Sequence, residues 1–460
     1  MPGVTWIERL MNTVADRGRE MLGLREDAAD DSLPDLCRRL IAGRGEATNI
    51  ALAREILQRF DALDADGKTT FLLALAQDLG PDAAAIRDAA GAFDSDRPET
   101  LARLLEVTEP PRQELFRRLN MAPNGTASLV AMRTELLARL AEHPALSSVD
   151  ADFRHLLASW FNRGFLRLQR IDWHSPAAVL EKIMRYESVH PIAGWDDLRR
   201  RLADDRRCFG FFHPALPEEP LIFVEVALTY EIASNIAPLI DPAGEVGDPY
   251  AADTAVFYSI NNALAGLRGI SFGNFLLKQV LNELADELPQ LKRFVTLSPV
   301  PRLADGLRAL FAGEVPDWPT GRIDEILEDC REALAEASSE TSPIAAVQQL
   351  LADRRCADPA LAMPLTRLAL LYIAAMRNGP GVCCDRVAAF HLANGAILER
   401  INVGADLSPK GQAQSYGIMV NYRYDPEQVV ANHEAFVQDA RIVMSRALQR
   451  EYDKHLAGRH

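Results

Sequence analysis

The apolar pattern of this 460-residue chain changes period near residue 165, and that change limits its possible folds more than any other feature. Before it, apolar residues recur at helical spacing; after it, short β-branched and aromatic runs alternate with helices. Trp6, Ile7, Leu10, Met11 and Val14 fall on one helical face. Ser32 precedes Leu33-Pro34-Asp35, an N-cap with an acid three residues on, ahead of a helix bearing Leu36, Leu40 and Ile41. Helical segments continue through Leu52, Ile56 and Phe60, through Phe71, Leu72 and Leu75, and over 98–107, 112–120, 126–142 and 147–161. Gly80-Pro81, Pro110-Pro111, Pro123-Asn124-Gly125 and Pro144 separate them. No fixed-period repeat links them, so residues 1–164 read as an irregular helical bundle serving as scaffold or oligomerisation domain.

Beyond residue 165 the runs at 208–212 and 221–228 flank turn material at 213–220 and predict a hairpin. A third strand at 255–260 leads through a glycine-containing turn, 265–274, into a helix over 275–284. A fourth strand, 294–297, ends at Ser298-Pro299. Residues 303–376 return to helix, a short helix carries Phe390 and His391, and β-like segments follow at 396–401 and 417–424. One long amphipathic helix is expected to close the chain. The fold class is therefore α+β: an all-helical N-terminal bundle, then a mixed α/β domain over 165–460 with a helical insertion.

Composition removes several function classes. With 50 Lys and Arg against 65 Asp and Glu the net charge is −15. Nucleic acids and anionic membrane surfaces both call for a basic face, so neither is an expected partner. Cys37, Cys208, Cys330, Cys356, Cys383 and Cys384 form no CxxC pair and no zinc-ligand spacing, so reduced thiols and no metal are expected. The first residues lack a charged segment followed by an apolar one, and Glu8 and Asp16 argue against a transit peptide. The final Gly458-Arg459-His460 is not a peroxisomal address. A cytoplasmic, bacterial protein is expected.

The turn after the third strand carries the first hint of chemistry. A strand that turns through glycines into a helix aims backbone N–H groups and the helix dipole at one point, which suits a pyrophosphate. Gly266, Gly269 and Gly273 would give close approach, and Arg268 a positive charge. The spacing is neither a Walker A loop nor a dinucleotide fingerprint, and a plain turn would satisfy it equally. The order hairpin, strand, glycine turn, helix, strand resembles the GNAT acyltransferase fold, in which that turn holds the pyrophosphate of coenzyme A. In that fold two strands splay at a bulge to admit the acyl-pantetheine arm, and Ser298 would lie at the end of the splaying strand.

The motifs are more specific than the order of elements. Phe294-Val-Thr-Leu-Ser-Pro-Val-Pro301 and Phe390-His-Leu-Ala-Asn-Gly-Ala396 resemble signature segments of the malonyl-CoA decarboxylase family. So do Trp173-His-Ser-Pro176, Val189-His-Pro191, Ser271-Phe-Gly-Asn-Phe-Leu276 and Asn421-Tyr-Arg-Tyr424, in the family's order. The resemblance implies that Ser298 holds the malonyl carboxylate and that His391 donates the proton. It further implies that Arg268, Gly269, Ile270, Ser271, Phe272, Gly273 and Asn274 bind the coenzyme A moiety, with Ser259 and Tyr424 as supporting residues. Malonyl-CoA and acetyl-CoA would be the ligands, and the chain a homo-oligomer, possibly a tetramer. The sequence departs from the family pattern at Arg302-Leu303, just after the serine motif.

The chemistry is compatible with those roles. Loss of CO2 from a malonyl thioester leaves a carbanion beside a carbonyl that already serves as electron sink, so no metal or organic cofactor is expected. The protein need only orient the carboxylate, stabilise the enolate and protonate carbon. Other uses of the same residues stay open at this level. An N-acyltransferase would share the glycine turn. A thioesterase would use Ser298 as nucleophile and His391 as base, although no G-x-S-x-G elbow surrounds the serine. A non-catalytic malonyl-CoA sensor would bind without turnover.

Overall fold

The structure, a computed structural model, describes residues 12–17, 31–270, 276–376 and 385–457. Four of the five residues of the first expected helical face, Trp6 to Met11, lie outside them, as do Ser271 to Asn274 and the Cys383-Cys384 pair. Two bodies are distinguished by their internal contacts.

The first body is helical and comprises the described residues up to Leu166 together with 213–219 and 264–270. Its helices are Leu33–Ala42, Glu46–Ala62, Ala65–Asp78, Ala83–Gly91, Pro98–Thr108, Pro111–Leu119, Gly125–Arg139 and Ser147–Trp160. Their starts follow from the sequence. Ser32 accepts the main-chain N–H of Asp35, and Asp64 and Asp82 cap the third and fourth helices in the same way. Leu36, Leu40, Ile56, Leu72, Leu136 and Leu157 are buried, and the rings of Phe116 and Phe153 stack at 4.1 Å between centroids.

The glycine turn belongs to this helical body, which its sequence does not announce. A Cβ on Gly266 would stand 2.0 Å from the carbonyl oxygen of Val130, so that glycine allows helix Gly125–Arg139 to touch the turn. Arg133, itself buried, donates to the Gly266 carbonyl oxygen at 2.6 Å and to Asp150 at 2.8 Å. The expectation that Gly266 provides close approach for a ligand is corrected: its missing side chain is used by the helix.

The second body holds one mixed sheet. Strands β1 (Arg167–Ile171), β2 (Arg206–Phe212), β3 (Ile222–Thr229) and β4 (Thr254–Asn262) run antiparallel in succession. Then β5 (Arg293–Thr296) lies parallel to β4. Strand β8 (Met419–Tyr424) pairs with β5 and β6 (Ser298–Pro299) on one side and with β7 (Ile397–Asn402) on the other. Val256, Tyr258, Val295, Leu297 and Met419 belong to one buried apolar cluster, and Ile171, Leu180, Ile183, Phe212 and Phe223 to another. Helices Leu303–Phe311 to Ala362–Leu370, closed by a π-turn at Leu371–Ala375, form the insertion between β6 and β7.

Two elements differ from expectation. Strand β1 has only its last residue buried, so it lacks the alternation that marks a strand in sequence. The closing helix is two helices, Val429–Asp439 and Arg446–His455. Ala440 turns left-handed at φ 53°, and the chain then runs beside β7, where Leu398 bonds Val443 and Ser445 at 2.9 Å each. Pairing with β7 at Leu398 takes the place of the expected helix over 440–445. Among the described residues no helix is long and apolar enough to cross a membrane.

The packing of the glycine turn gives a direct test. Gly266→Ala should lower stability by ~1–3 kcal/mol, the usual cost of overpacking, read as an earlier urea unfolding midpoint. An unchanged midpoint would contradict the contact with Val130.

Candidate active site

The site begins where two strands part. Thr254 to Phe257 of β4 pair in register with Arg293 to Thr296 of β5. Opposite them, the β3–β4 register shifts so that Glu225 faces Ser259 and Val226 faces Phe257, leaving Tyr258 as the extra residue of a β-bulge. The last bond across the parallel pair runs from the Leu297 N–H to the Phe257 carbonyl oxygen at 2.9 Å. Past it, β4 continues with β3, while Ser298 and Pro299 turn to β8. Ser298 therefore stands at the fork, with a proline on its C-terminal side that donates nothing to a ladder.

The ladder between β5–β6 and β8 is interrupted at the same level. Val295 faces Arg423 and Ser298 faces Val420 in ordinary register. Between them, the Tyr422 N–H donates to the side-chain Oγ1 of Thr296 at 3.1 Å, and the Thr296 carbonyl oxygen accepts from Asn421 Nδ2 at 2.7 Å. Thr296 ends β5 and Ser298, two residues on, begins β6, and their hydroxyl oxygens are 3.0 Å apart.

His391 arrives from the short helix Arg386–Ala393. Asp385 caps it, accepting the N–H groups of Val387 and Ala388 at 2.9 Å each. Gly395 ends it in a left-handed turn at φ 79°, where a Cβ would stand 1.9 Å from the Val429 carbonyl oxygen. The run Asp385 to Gly395 is thus a complete helix with both stops, and it delivers one imidazole to the fork. His391 Nε2 lies 3.0 Å from Ser298 Oγ, and Nδ1 lies 2.9 Å from the Tyr424 hydroxyl. The ring stacks on Tyr422, 4.6 Å between centroids at 23°.

Thr296, Ser298, His391 and Tyr424 consequently form one hydrogen-bonded chain, and all four are buried. Two proton orders satisfy it. In one, Tyr424 donates to Nδ1 and Nε2–H donates to Ser298; in the other, Ser298 donates to Nε2 and Nδ1–H donates to Tyr424. Burial alone pushes His391 down to about 3, so the ring is neutral at neutral pH, and burial likewise pushes the Tyr424 phenol up. Desolvation also raises the Asp385 carboxyl, against the N–H groups of the cap and the nearby Arg302.

The remaining predicted residues lie as follows. The Ser259 hydroxyl donates to Glu187 at 2.6 Å, in a buried network with Asn261. Arg268 is exposed, Gly269 is left-handed at φ 78° and Ile270 is buried. Ser271, Phe272, Gly273 and Asn274 fall outside the described residues. Three residues of the site escaped the sequence reading: Thr296, Tyr422 and Asp385. An Asp two positions ahead of an apolar pair was a readable N-cap. Thr296 sat inside a quoted motif, yet a buried threonine in a strand carries no signal of its own.

The neutral, buried His391 fixes the sign of a pH effect. An unfolded chain binds a proton on this ring near 6.5, whereas the folded one resists until about 3, so the ring costs stability as pH falls through that window. His391→Gln should therefore lose less stability than the unsubstituted protein between about pH 7 and pH 5, measured by denaturant unfolding. Equal losses would place the ring in a more solvated setting.

Comparison with known proteins follows the same lines. Residues 164–460 match the malonyl-CoA decarboxylase C-terminal domain, and residues 79–161 match the malonyl-CoA decarboxylase N-terminal domain. The mitochondrial malonyl-CoA decarboxylase of Anser anser anser is 38% identical over 339 residues, covering 71% of this chain and 66% of the goose protein. That of Rattus norvegicus is 36% identical over 357 residues, 75% of this chain and 71% of its own length. The crystal structure of malonyl-CoA decarboxylase from Rhodopseudomonas palustris superposes with a TM-score of 0.80 at 47% identity, over 91% of this chain and 98% of that one. The Agrobacterium vitis structure gives 0.77 at 44% identity, over 91% and 99%. With a fork, a buried Ser–His pair and family matches on both sides of residue 164, the chain belongs to the malonyl-CoA decarboxylase family.

Proposed function

We propose that this chain converts malonyl-CoA to acetyl-CoA and CO2, with no metal or organic cofactor, using Ser298 and His391. The observation that carries the reading is the buried chain from Thr296 to Tyr424, which offers a hydroxyl and an imidazole side by side at a strand fork, with burial rather than any charge among the described residues setting the imidazole's protonation. Ser298 O–H donates to the malonyl carboxylate and turns it out of the thioester plane, which aligns the breaking C–C bond with the carbonyl π system. Carbon dioxide leaves, the electron pair passes to the thioester oxygen, and His391 Nε2–H delivers a proton to carbon. The balance is one malonyl thioester carboxylate and one proton in, one acetyl thioester and one CO2 out.

The source of that proton follows from the electrostatics. An isolated neutral imidazole is a poor acid. A carboxylate entering beside it acts against desolvation and raises the proton affinity of the ring, so substrate and proton enter together. Tyr424 then accepts Nδ1–H and steadies the imidazolium. In this reading the segment from Arg268 to Asn274 binds the coenzyme A phosphates, with the exposed Arg268 as its cation. Hydrolysis is less well supported: the second nitrogen of His391 is bonded to a phenol rather than a carboxylate, so the orienting acid of a serine triad has no counterpart among the described partners of the ring.

Two outcomes are expected. Metal-free protein given malonyl-CoA and a chelator should release acetyl-CoA and CO2 in equal amounts, at the rate seen without chelator. Malonate plus free CoA would establish hydrolysis instead, and transfer of acetyl to an added amine would establish an acyltransferase. Separately, His391→Asn should lower kcat by ~10²–10⁴-fold, while malonyl-CoA binding, followed by calorimetry, stays within a few-fold. Near-native turnover in that variant would remove His391 from the proton-transfer role.

A further inference from the structure

We propose that Thr296 is the positioning residue that fixes the catalytic hydroxyl of Ser298; this rests on the role given to Ser298 above. Thr296 is fully buried, and its side-chain oxygen has two recorded partners, the Tyr422 N–H at 3.1 Å and Ser298 Oγ at 3.0 Å. The first is unusual for a strand. In a regular antiparallel ladder the Tyr422 N–H would bond a main-chain carbonyl. Here a side-chain hydroxyl takes that place, and the Thr296 carbonyl is given to Asn421 Nδ2 instead.

A sheet does not need this exchange. Valine has the same shape as threonine, favours strands equally, and would leave the carbonyl free for the ladder. What the exchange provides is an oxygen anchored to the main chain of β8 within hydrogen-bond distance of Ser298. A β-branched side chain has few rotamers, and the bond to Tyr422 selects among them. Serine by contrast rotates freely about χ1, and Ser298 must present its proton to a carboxylate in one direction only. Holding Ser298 Oγ between Thr296 and His391 leaves a single direction for the hydroxyl to turn when substrate enters. Tyr422 ties the arrangement together, since its N–H anchors Thr296 while its ring stacks on His391.

The test compares Thr296→Val, Thr296→Ser, Ser298→Ala and the Thr296→Val/Ser298→Ala double variant, each checked by thermal unfolding. Thr296→Val should lower kcat up to roughly 10²-fold, the scale of a small misplacement at a reacting centre, with KM for malonyl-CoA little changed. Thr296→Ser keeps the hydroxyl and should restore kcat to within a few-fold. Because Thr296 acts through Ser298, the valine substitution should add almost nothing in the Ser298→Ala background. Multiplying effects, or near-native kcat in a folded valine variant, would overturn the proposal. Should the valine variant fail to fold, Thr296→Ala enters the same comparison with the same outcomes. Wild-type turnover by Ser298→Ala would instead overturn the role of Ser298 itself, a result recognisable without any Thr296 variant.

Discussion

The parting of β4 from β5 after Phe257 and Thr296 is the constraint on which the rest of the site depends. Two parallel strands hold together through evenly spaced hydrogen bonds, and an extra residue in one of them bends that strand and ends the pairing. Tyr258 is that residue, set opposite the β3 register shift. Once the pairing stops, Ser298 cannot continue beside β4 and is carried to β8, where Tyr422 and Tyr424 meet the His391 helix. Moving the bulge by one residue would reverse which side chains face the fork, because strand side chains alternate.

Burial is the second determinant, and it acts on charge. The fork is lined by hydroxyls, a phenol and a neutral imidazole, and burial holds the proton affinity of His391 down and that of Tyr424 up. Such a site disfavours any unpaired charge within it. On the proposed reading a substrate carboxylate would be met by hydroxyl groups, which leave its charge free to disperse during decarboxylation. The geometry therefore suits a reaction in which negative charge leaves the carboxylate and reappears on a thioester oxygen.

The glycine turn shows how one motif serves two demands. Its first half is packed into the helical body through Gly266, Arg133 and Val130, whereas Arg268 and Gly269 are exposed. A family pattern that reads as a ligand loop in sequence thus contains a helix-packing contact as well. Loop glycines are ambiguous in this way, since the same missing Cβ permits approach by a ligand or by a neighbouring backbone.

Much of the fold was legible in the residues themselves. Helical spacing, the Ser32 cap and the proline breaks marked the bundle, and short apolar runs rich in β-branched and aromatic residues marked β2 to β5, β7 and β8, because helix periodicity and strand preference are both imposed locally. The motifs around Ser298 and His391 carried the family likeness. Strand β1 was hidden by its exposed side chains, and the break at Ala440 by a pairing with Leu398 that lies some forty residues away in the chain. Tertiary structure alone decided that Thr296 gives up its place in the ladder, that Tyr424 rather than an acid orients the imidazole, and that Ser259 is taken by Glu187. Sequence determines what each segment can form with its neighbours; which polar groups meet inside a dry core depends on contacts between distant segments, and those exist only once the sheet has closed.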